Sequence, residues 1–385
     1  MEKFMSVELA RVPQILSGAG ARHQLGTKAL ELVPKGAAVL LVADPGLEAS
    51  GAHSDLKTSL EAADFKVYVF KDFTGDPTIA QTDAAADVAR SVQAQLVVAL
   101  GGGSALDLGK VVAAIASAPQ SALKYQLCEA PFPAMRLKCI TLPTTSGTGA
   151  EVTRTAILTR ADKAKVWLWG EETKADLAIL DPELTLKLPA FLTAATGIDA
   201  LVHAVEAATN RNNHALNNIY AYEAIRLAGL HLLNAVNDPG NVAARAGIQL
   251  AATLAGIAID NCGTAIAHNI GHAIGSLKGV HHGRAVGVAM LATLPWNIAQ
   301  DDGRWAACAK ALGAGDTAAD FALGFEKLIR ASGLAMHLHE CADITAERLA
   351  EQMARPENVP MQISNWRASS HADLVSLAHA TLAMR

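Results

Sequence analysis

The sequence has few charged side chains, few aromatic side chains and no closely spaced cysteines. Of 385 residues, 18% are charged and 4% are aromatic, and the formal net charge is −5. The basic residues form no run, so the composition does not indicate a nucleic-acid-binding surface. The odd number of cysteines and the lack of a CxxC pair are typical of a reduced, cytoplasmic protein. The cysteines are Cys128, Cys139, Cys262, Cys308 and Cys341.

Long hydrophobic runs are missing as well. No uncharged apolar stretch approaches the roughly 18 residues that a membrane-spanning helix needs. The N-terminal stretch MEKFMSVELARVPQILSGAG lacks the continuous apolar core of a signal peptide. We therefore expect a soluble protein that does not enter a membrane. The chain is nevertheless 51% hydrophobic, which suits a large core and a buried subunit contact, so we expect a homodimer or a higher homo-oligomer.

The first half of the chain alternates between strand-like and helix-like segments. Apolar, β-rich runs are followed by segments with helical periodicity, and this order predicts a parallel sheet with right-handed crossovers. The predicted strands cover residues 37–44, 65–70, 95–100, 138–144, 164–169 and 175–180. The predicted helices cover residues 54–63, 78–93 and 106–117.

After residue 188 the strand signals fade, and helical patterns run almost to the C-terminus. They cover residues 191–209, 214–236, 241–260, 263–278, 284–300, 316–332 and 345–354. We therefore expect two domains, an α/β domain of residues 1–188 with a parallel sheet and an all-helical domain of residues 189–385.

A glycine-rich segment, LGGGSALDLGK, follows the predicted strand 95–100 and opens a predicted helix. Open α/β sheets bind ligands at this place. Glycine lets the backbone approach a phosphate, and the helix N-terminus offers free N–H groups. Ser104 and Leu106 exclude the Walker A and GxGxxG patterns. A tight turn without a ligand would show the same pattern.

Two further features favour a dinucleotide. The segment TLPTTSGTGAEVT follows another predicted strand, and its hydroxyl groups could donate hydrogen bonds to phosphate oxygens. Asp44 ends the first predicted strand, where a carboxylate can accept hydrogen bonds from a ribose and repel a 2′-phosphate. The alternatives are a polar loop and a turn-capping aspartate. The loop hydroxyls belong to Thr144, Thr145, Ser146 and Thr148.

Four of the 13 histidines lie in one short segment, HNIGHAIGSLKGVHHG. His268 and His272 are four residues apart and share a helix face, as do Asp199 and His203 upstream. Together with His282, these side chains predict a site for a divalent metal, Fe²⁺ or Zn²⁺. Helix-surface pairs and hydrogen-bonded core histidines are the alternative interpretations.

Taken together, the motifs resemble the iron-containing (group III) alcohol dehydrogenases. The resemblance covers nearly the whole chain and is carried by LGGGSALDLGK, TLPTTSGTGAEVT, LTAATGIDALVHAVEA and HNIGHAIG…HHG. It implies a Rossmann-like N-terminal domain that binds the dinucleotide, an all-α C-terminal domain and an active site in the cleft between them.

The resemblance also implies a role for each matching residue. The implied metal ligands are Asp199, His203, His268 and His282. His272 matches a histidine beside the metal and the nicotinamide, where it could relay a proton. The implied cofactor-binding residues are Asp44, Gly102, Gly103, Ser104, Asp107, Thr144, Thr145, Ser146, Thr148, Thr153 and Lys165. Three features depart from the family pattern: Asp76 in place of asparagine, Ala105 with Leu106 after the glycines, and His281 in place of proline.

The implied reaction is a reversible hydride transfer between NAD, rather than NADP, and a small primary or secondary alcohol. The metal, Fe²⁺ or alternatively Zn²⁺, would stabilise the alkoxide. The partner would then be a small alcohol or aldehyde. Related proteins with this fold give the alternatives: a glycerol-type polyol dehydrogenase, a maleylacetate-type reductase or a phosphate-eliminating cyclase. A protein that binds nucleotide or metal without catalysis is a further alternative.

Overall fold

A parallel sheet forms the centre of the N-terminal half in the computed structural model, which describes residues 6–385. These residues contain the strands β1 Gln14–Ser17, β2 Ala38–Ala43, β3 Lys66–Phe70, β4 Ala94–Gly101, β5 Lys138–Pro143, β6 Thr155–Thr159, β7 Lys165–Trp169 and β8 Leu177–Leu180. Six of them form one sheet in the order β1-β8-β5-β4-β2-β3. All neighbours in it are parallel, as the alternating pattern predicts.

Both faces of the sheet are covered by helices, because apolar side chains alternate across the strands. In β4, Val97 contributes to the core on one face, whereas Val98 and Leu100 contribute to the core on the other. The helices of this half are α1 Leu25–Leu30, α2 Ala52–Ala62, α3 Ile79–Ser91 and α4 Gly103–Ile115. Helix α4 begins at Gly103, the third glycine after the apolar run of β4, which places the glycine loop at the carboxyl edge of the sheet.

Strands β6 and β7 form a separate antiparallel hairpin. The sequence predicted β7 but not β6. Asp107 on α4 fixes the hairpin, since its Oδ2 accepts a hydrogen bond of 2.9 Å from the backbone N–H of Ile157 in β6. Strand β1 was not predicted either, because it has only four residues and most of them are exposed.

The C-terminal half is entirely helical after Pro189, within the residues that the structure describes. Its helices are α5 Ala190–Thr209, α6 Ala215–Asn237, α7 Val242–Cys262, α8 Ile266–Leu277, α9 His282–Ile298, α10 Arg304–Leu312, α11 Ala318–Ala331, α12 Ala346–Met353, α13 Val359–Ser364 and α14 His371–Leu382. The predicted fold class, a parallel α/β half followed by an all-helical half, is confirmed. Helices α10, α13 and α14 were not predicted, and α9 begins two residues earlier than expected.

Helix α5 lies at the centre of the helical half and packs against α6, α7 and α9. Its small side chains allow close approach. A Cβ atom added at Gly283, the second residue of α9, would collide with the carbonyl oxygen of Ala195 on α5. Glycine at this position therefore lets the start of α9, including His282, lie directly against α5.

Two of these helices satisfy a length-and-hydropathy test for a membrane span. Helices α5 and α7 have mean hydropathies of 1.2 and 1.6 over their most apolar windows. Inside the protein, 78% and 61% of those windows are buried. Core helices of globular proteins have the same composition, so this feature is weak support for a membrane segment.

Candidate metal centre and cofactor loops

Three side chains from three helices converge at one point of the helical half. Asp199 lies on α5, His268 on α8 and His282 at the start of α9. The Oδ1 atom of Asp199 is 3.5 Å from Nε2 of His268 and 3.5 Å from Nε2 of His282. One potential ligand atom from each residue lies within 4.8 Å of the other two. The structure thus brings together three of the four predicted metal ligands.

The fourth predicted ligand, His203, lies beside this group. It follows Asp199 by one turn of α5, and its Nδ1 atom is 3.8 Å from Oδ2 of Asp199. Its ring stacks on the ring of His268, with 4.2 Å between the centroids. His203 therefore lies next to the group of three. Its ring nitrogens are not within 4.8 Å of all three of the other ligand atoms.

The side chains at this point fit a divalent metal ion. Among the described residues, Asp199 Oδ1, His203 Nδ1 and His268 Nε2 are buried polar atoms without a hydrogen-bond partner. Each such atom costs about 1–3 kcal/mol when nothing satisfies it. An anionic oxygen and imidazole nitrogens are ligands that Fe²⁺ and Zn²⁺ accept. A cation held by these atoms would remove that cost.

The electrostatics of the site favour its metal-binding protonation state. Burial lowers the pKa of His203 to about 4 and that of His282 to about 3, so both imidazoles are neutral near pH 7. Burial disfavours the charged form of Asp199, but the surrounding histidines outweigh this effect and hold its pKa well below the usual value. His203 and His282 thus offer neutral nitrogens beside one carboxylate, as metal ligation requires.

His268 has an additional partner that sequence reasoning missed. Its Nδ1 atom lies 2.7 Å from Oε2 of Glu206, a residue that is 2% exposed. Burial disfavours the protonated form of His268, but Glu206 and Asp199 together raise its pKa to about 9. The spacing 199, 203, 206 places Glu206 on the same face of α5 as the predicted ligands. That spacing could have identified it.

The other two histidines of the cluster take different positions. The ring of His272 lies 5.1 Å from that of His282 and 6.5 Å from that of His268 between centroids, and the residue is half-buried. The ring of His281 lies edge-on against Phe191 at 5.5 Å. His272 therefore borders the candidate metal centre, whereas His281 packs against an apolar side chain.

Lys165 and Asp76 form an ion pair near this centre. Lys165 Nζ is 2.7 Å from Asp76 Oδ2, and it would lie 3.3 Å from a Cβ atom added at Gly275 on α8. Gly275 follows His272 by three residues. The Asp76 side chain is 56% exposed, so a small molecule at the metal centre could meet its carboxylate.

The two predicted cofactor loops pack against each other. The backbone N–H of Thr144 donates a hydrogen bond of 2.9 Å to the carbonyl oxygen of Gly101. A Cβ atom added at Gly102 would lie 3.3 Å from Thr145 Cγ2, and one added at Gly103 would lie 2.7 Å from Thr148 Cγ2. No side chain of residues 6–385 caps the N-terminus of α4. Its first turn, which includes Ser104, therefore suits an anionic group.

The threonine loop also contacts the helix that carries the metal-ligand candidates. A Cβ atom added at Gly147 would lie 2.7 Å from Cβ of Thr196, three residues before Asp199 on α5. One face of this loop therefore contacts the glycine loop, and another contacts α5. A dinucleotide bound along the glycine loop would have the threonine loop as its neighbour toward the metal centre.

Several of the predicted cofactor residues make hydrogen bonds inside the protein that support the glycine and threonine loops. Both carboxylate oxygens of Asp107 have protein partners, since Oδ1 accepts a hydrogen bond of 3.1 Å from Lys110 Nζ and Oδ2 binds Ile157. Lys110 Nζ also lies 3.3 Å from Thr153 Oγ1. Thr144 and Ser146 are buried as well. These contacts make Asp107 and Thr153 supports of the loops, and their contact with a cofactor stays a prediction.

Asp44 lies beside the glycine loop. Its Oδ1 accepts a hydrogen bond of 2.8 Å from the backbone N–H of Gly46, and a Cβ atom added at Gly101 would lie 2.8 Å from the Cβ atom of Asp44. Asp44 therefore caps the turn that begins at Pro45, the alternative that its sequence context left open. Asp44 is also half-buried next to the glycine loop, where its carboxylate could accept hydrogen bonds from a bound ribose.

Models of known families match both halves of the chain. Residues 13–182 match the family described as iron-containing alcohol dehydrogenase. Residues 193–382 match the C-terminal part of the Fe-containing alcohol dehydrogenase family. Together the two matches leave only residues 1–12, 183–192 and 383–385 uncovered.

Individual relatives agree with this assignment. The NAD-dependent methanol dehydrogenase of Bacillus methanolicus is 32% identical over 303 residues, which cover 78% of each chain. The 1,3-propanediol dehydrogenase of Klebsiella pneumoniae is 32% identical over 327 residues, with 83% of this chain and 81% of that protein covered. The sulfoacetaldehyde reductase of Bifidobacterium kashiwanohense, solved in complex with NAD⁺, superposes with a TM-score of 0.89 at 26% identity, over 98% of this chain and 99% of that one.

Proposed function

Since the chain belongs to the iron-containing alcohol dehydrogenase family, we propose that it transfers a hydride between NAD and a small primary or secondary alcohol or the corresponding aldehyde. The observation that carries the proposal is the contact between the threonine loop and α5, which puts a dinucleotide-type loop next to the buried group of Asp199, His268 and His282. Neither site alone would define an oxidoreductase. Because the loop and the metal-ligand group are adjacent, a dinucleotide and a metal-activated substrate could bind next to each other.

We assign the metal to Asp199, His203, His268 and His282. When bound, Fe²⁺ acts as a Lewis acid that favours the ionised form of an alcohol hydroxyl, and Zn²⁺ is the alternative ion. The Asp199 carboxylate would lower the net charge of the metal-loaded site, and the imidazoles would fix the position of the metal ion. The unpartnered buried atoms of the described residues support this assignment.

His272 is assigned to proton transfer. It is half-buried and lies next to the ring of His282. Burial is the main reason that its pKa lies well below the usual value, so the imidazole is neutral near pH 7 and one ring nitrogen has a free lone pair. Its partial exposure gives the proton a route to solvent.

NAD is assigned to the carboxyl edge of the sheet. Gly102, Gly103, Ser104 and the hydroxyls of Thr145 and Thr148 would contact the pyrophosphate, which the N-terminus of α4 also attracts. The nicotinamide supplies the hydride chemistry, and these loops align it. Asp44 would repel the 2′-phosphate of NADP. Lys165, which lies near α8, would be on the side of the nicotinamide.

We also propose a cytoplasmic location, a division into domains at residue 188 and at least a dimer. The sheet ends at Leu180 and the helices begin at Ala190, which supports the division. Large apolar side chains remain exposed on the helical half, such as Ile219 and Leu323 at 67% each, and they support a subunit contact. Light scattering of the purified protein tests the assembly.

The activity is tested by absorbance of reduced nicotinamide. Protein purified without oxygen and loaded with Fe²⁺ is mixed with NAD and a panel of short primary and secondary alcohols. We expect NAD reduction with at least one of them, and none after treatment with a chelator. A metal-loaded protein that binds NAD but reduces it with no alcohol, and oxidises NADH with no aldehyde, would contradict the proposal.

A further inference from the structure

We infer that Glu206 is a positioning residue of the metal centre. Its carboxylate holds His268 with a hydrogen on Nδ1 and thereby leaves Nε2 free to bind the metal. The inference rests on the proposed function only in that it takes the group around Asp199 as a metal site. The identity of the four ligands does not explain which ring nitrogen of His268 is free to bind the metal, whereas the contact with Glu206 does.

Four N–H groups converge on the two oxygens of Glu206. Oε2 lies 2.7 Å from the backbone nitrogen of Ala265 and 2.7 Å from Nδ1 of His268. Oε1 lies 2.7 Å from the backbone nitrogen of Ala267 and 3.4 Å from that of His268. Backbone N–H groups can only donate, so both oxygens must accept. Three backbone N–H donors favour the ionised carboxylate, and an ionised carboxylate can only accept, so Nδ1 of His268 carries the hydrogen.

This hydrogen bond determines which nitrogen of His268 is available. An imidazole that binds a metal keeps only one ring hydrogen, and the contact with Glu206 fixes that hydrogen on Nδ1. The lone pair is then on Nε2, which is buried, has no hydrogen-bond partner among residues 6–385 and faces Asp199 Oδ1 at 3.5 Å. A carboxylate behind a ligating histidine also increases the donor strength of the imidazole.

The position of Glu206 connects two ligand-bearing helices. It lies on α5, seven residues after Asp199, and its backbone partners form the N-terminus of α8. The negative charge also suits that helix end. A purely structural cap would use the same backbone bonds. The test therefore has to separate capping of α8 from control of His268.

Glutamine is not an equivalent replacement at this position. Its amide offers only one acceptor oxygen, so its NH₂ group must face the backbone N–H of either Ala265 or Ala267. If the NH₂ group takes the place of Oε2, it donates to Nδ1 of His268 and moves the ring hydrogen to Nε2, which blocks metal binding. We expect Glu206→Gln to weaken metal affinity about 10–100-fold, as is usual when such a partner is lost.

Glu151→Gln provides a matched control. Glu151 is 3% exposed, similar to Glu206, but its Oε1 accepts a hydrogen bond of 2.7 Å from the hydroxyl of Thr253. A glutamine oxygen can accept the same bond. Both variants thus neutralise a buried carboxylate, but only one removes the partner of a histidine.

The experiment measures Co²⁺ binding without any turnover. Metal-free wild type and variants are titrated with Co²⁺ in competition with a chromophoric chelator, and the visible d–d spectrum of the bound ion is recorded. We expect Glu206→Gln to show weaker binding and an altered spectrum, and Glu151→Gln to match the wild type. In a His268→Ala background, the Glu206→Gln effect on affinity should vanish. Wild-type affinity and spectrum in Glu206→Gln, or an undiminished effect without His268, would overturn the inference.

Glu206→Asp covers the case in which Glu206→Gln does not fold. Aspartate keeps two acceptor oxygens but is one methylene shorter, so it caps α8 less closely and holds Nδ1 less firmly. Weaker Co²⁺ binding and a changed spectrum in a folded Glu206→Asp protein would support the inference, and unchanged binding would overturn it. A wild type that binds Co²⁺ yet transfers no hydride would refute the proposed function without affecting this comparison.

Discussion

Two clusters of buried charged and titratable side chains in this protein differ in whether other groups of the chain provide partners for their polar atoms. The metal cluster consists of Asp199, His203, His268 and His282. The ionic cluster consists of Arg154, Lys174 and Asp260. In the ionic cluster, Lys174 Nζ lies 2.8 Å from Asp260 Oδ2, and the backbone N–H of Arg154 donates a hydrogen bond of 2.6 Å to Asp260 Oδ1. Lys174 also donates to the carbonyl oxygen of Arg11.

The metal cluster is buried to a similar degree, but several of its polar atoms have no partner within the described residues. Burial of charge alone therefore does not identify a ligand site. The ionic cluster joins Arg154 and Lys174 of the α/β half to Asp260 on α7, so it fastens the two halves together. The metal cluster lies on helices of one half only. Its unpartnered atoms fit a ligand that the chain does not supply, such as a metal ion.

The largest effect is expected from the metal cluster. His282→Ala removes one of the three converging ligands, and we expect kcat/KM to fall about a thousandfold, equivalent to roughly 4 kcal/mol of transition-state stabilisation. Metal analysis should show the loss of most bound metal, because only two of the three converging ligands, Asp199 and His268, remain. A chelator should then no longer lower the melting temperature, as it does for the wild type.

Its neighbours provide the controls. His281→Ala should retain both metal and activity, since its ring packs on Phe191. His272→Ala should retain metal but turn over about 100-fold more slowly, as expected for a lost proton relay. A metal-free His281→Ala protein beside a metal-replete His282→Ala protein would reverse the assignment.

The ionic cluster should respond in stability rather than in metal content. Lys174→Met leaves Asp260 buried beside Arg154 alone, and we expect the free energy of unfolding to fall by about 3 kcal/mol, measured by urea denaturation. Lys138→Met is the matched control, because its pair with Asp176 has a lysine side chain that is 47% exposed; its cost should stay below about 1 kcal/mol. If Lys174→Met lost metal without losing stability, the contrast between the two clusters would fail.

Gly103→Val separates the cofactor loops from the metal cluster. A Cβ atom at this position already lies 2.7 Å from Thr148, and valine adds bulk where the pyrophosphate should pass. We expect NADH affinity, measured by fluorescence, to fall by about 2 kcal/mol, or about thirtyfold, while metal content stays unchanged. Gly240→Val, on the α6–α7 connection with Asp238 Oδ1 as its nearest neighbour at 3.6 Å, should bind NADH normally. Unchanged affinity in a folded Gly103→Val protein would remove the glycine loop from the site.

The smallest effect concerns substrate charge. Asp76→Asn leaves the charge of Lys165 unpaired near the metal cluster. We therefore expect the ratio of kcat/KM for succinic semialdehyde to that for butanal to rise about fivefold, or roughly 1 kcal/mol. Asp72→Asn changes an exposed carboxylate of the same segment and should leave the ratio unchanged. A ratio that did not move in Asp76→Asn would show that the Lys165 pair lies outside the reach of substrate.

The sequence by itself determined the elements whose signals are local. Buried runs such as β4 and the glycines that follow it are read directly from adjacent residues, because apolar periodicity and backbone freedom act over one turn or one strand. The same is true of Asp199 with His203 and of His268 with His272, since a helix places residues four apart on one face. These local signals predicted the parallel sheet, the helical half and a metal site, whereas the set of four ligands was implied by the resemblance to the family.

Only the tertiary structure decided what distant residues do to one another. Glu206 becomes the partner of His268 across 62 residues, and Arg154 meets Asp260 across 106. The β6–β7 hairpin lies outside the main sheet, and Asp107 on α4 contacts it there across 50 residues. The placement of His282 against Asp199 depends on the close approach of α9 and α5 at Gly283. Such contacts depend on how helices and strands pack in three dimensions, and the choice of the distant partner leaves no periodic signal in the chain.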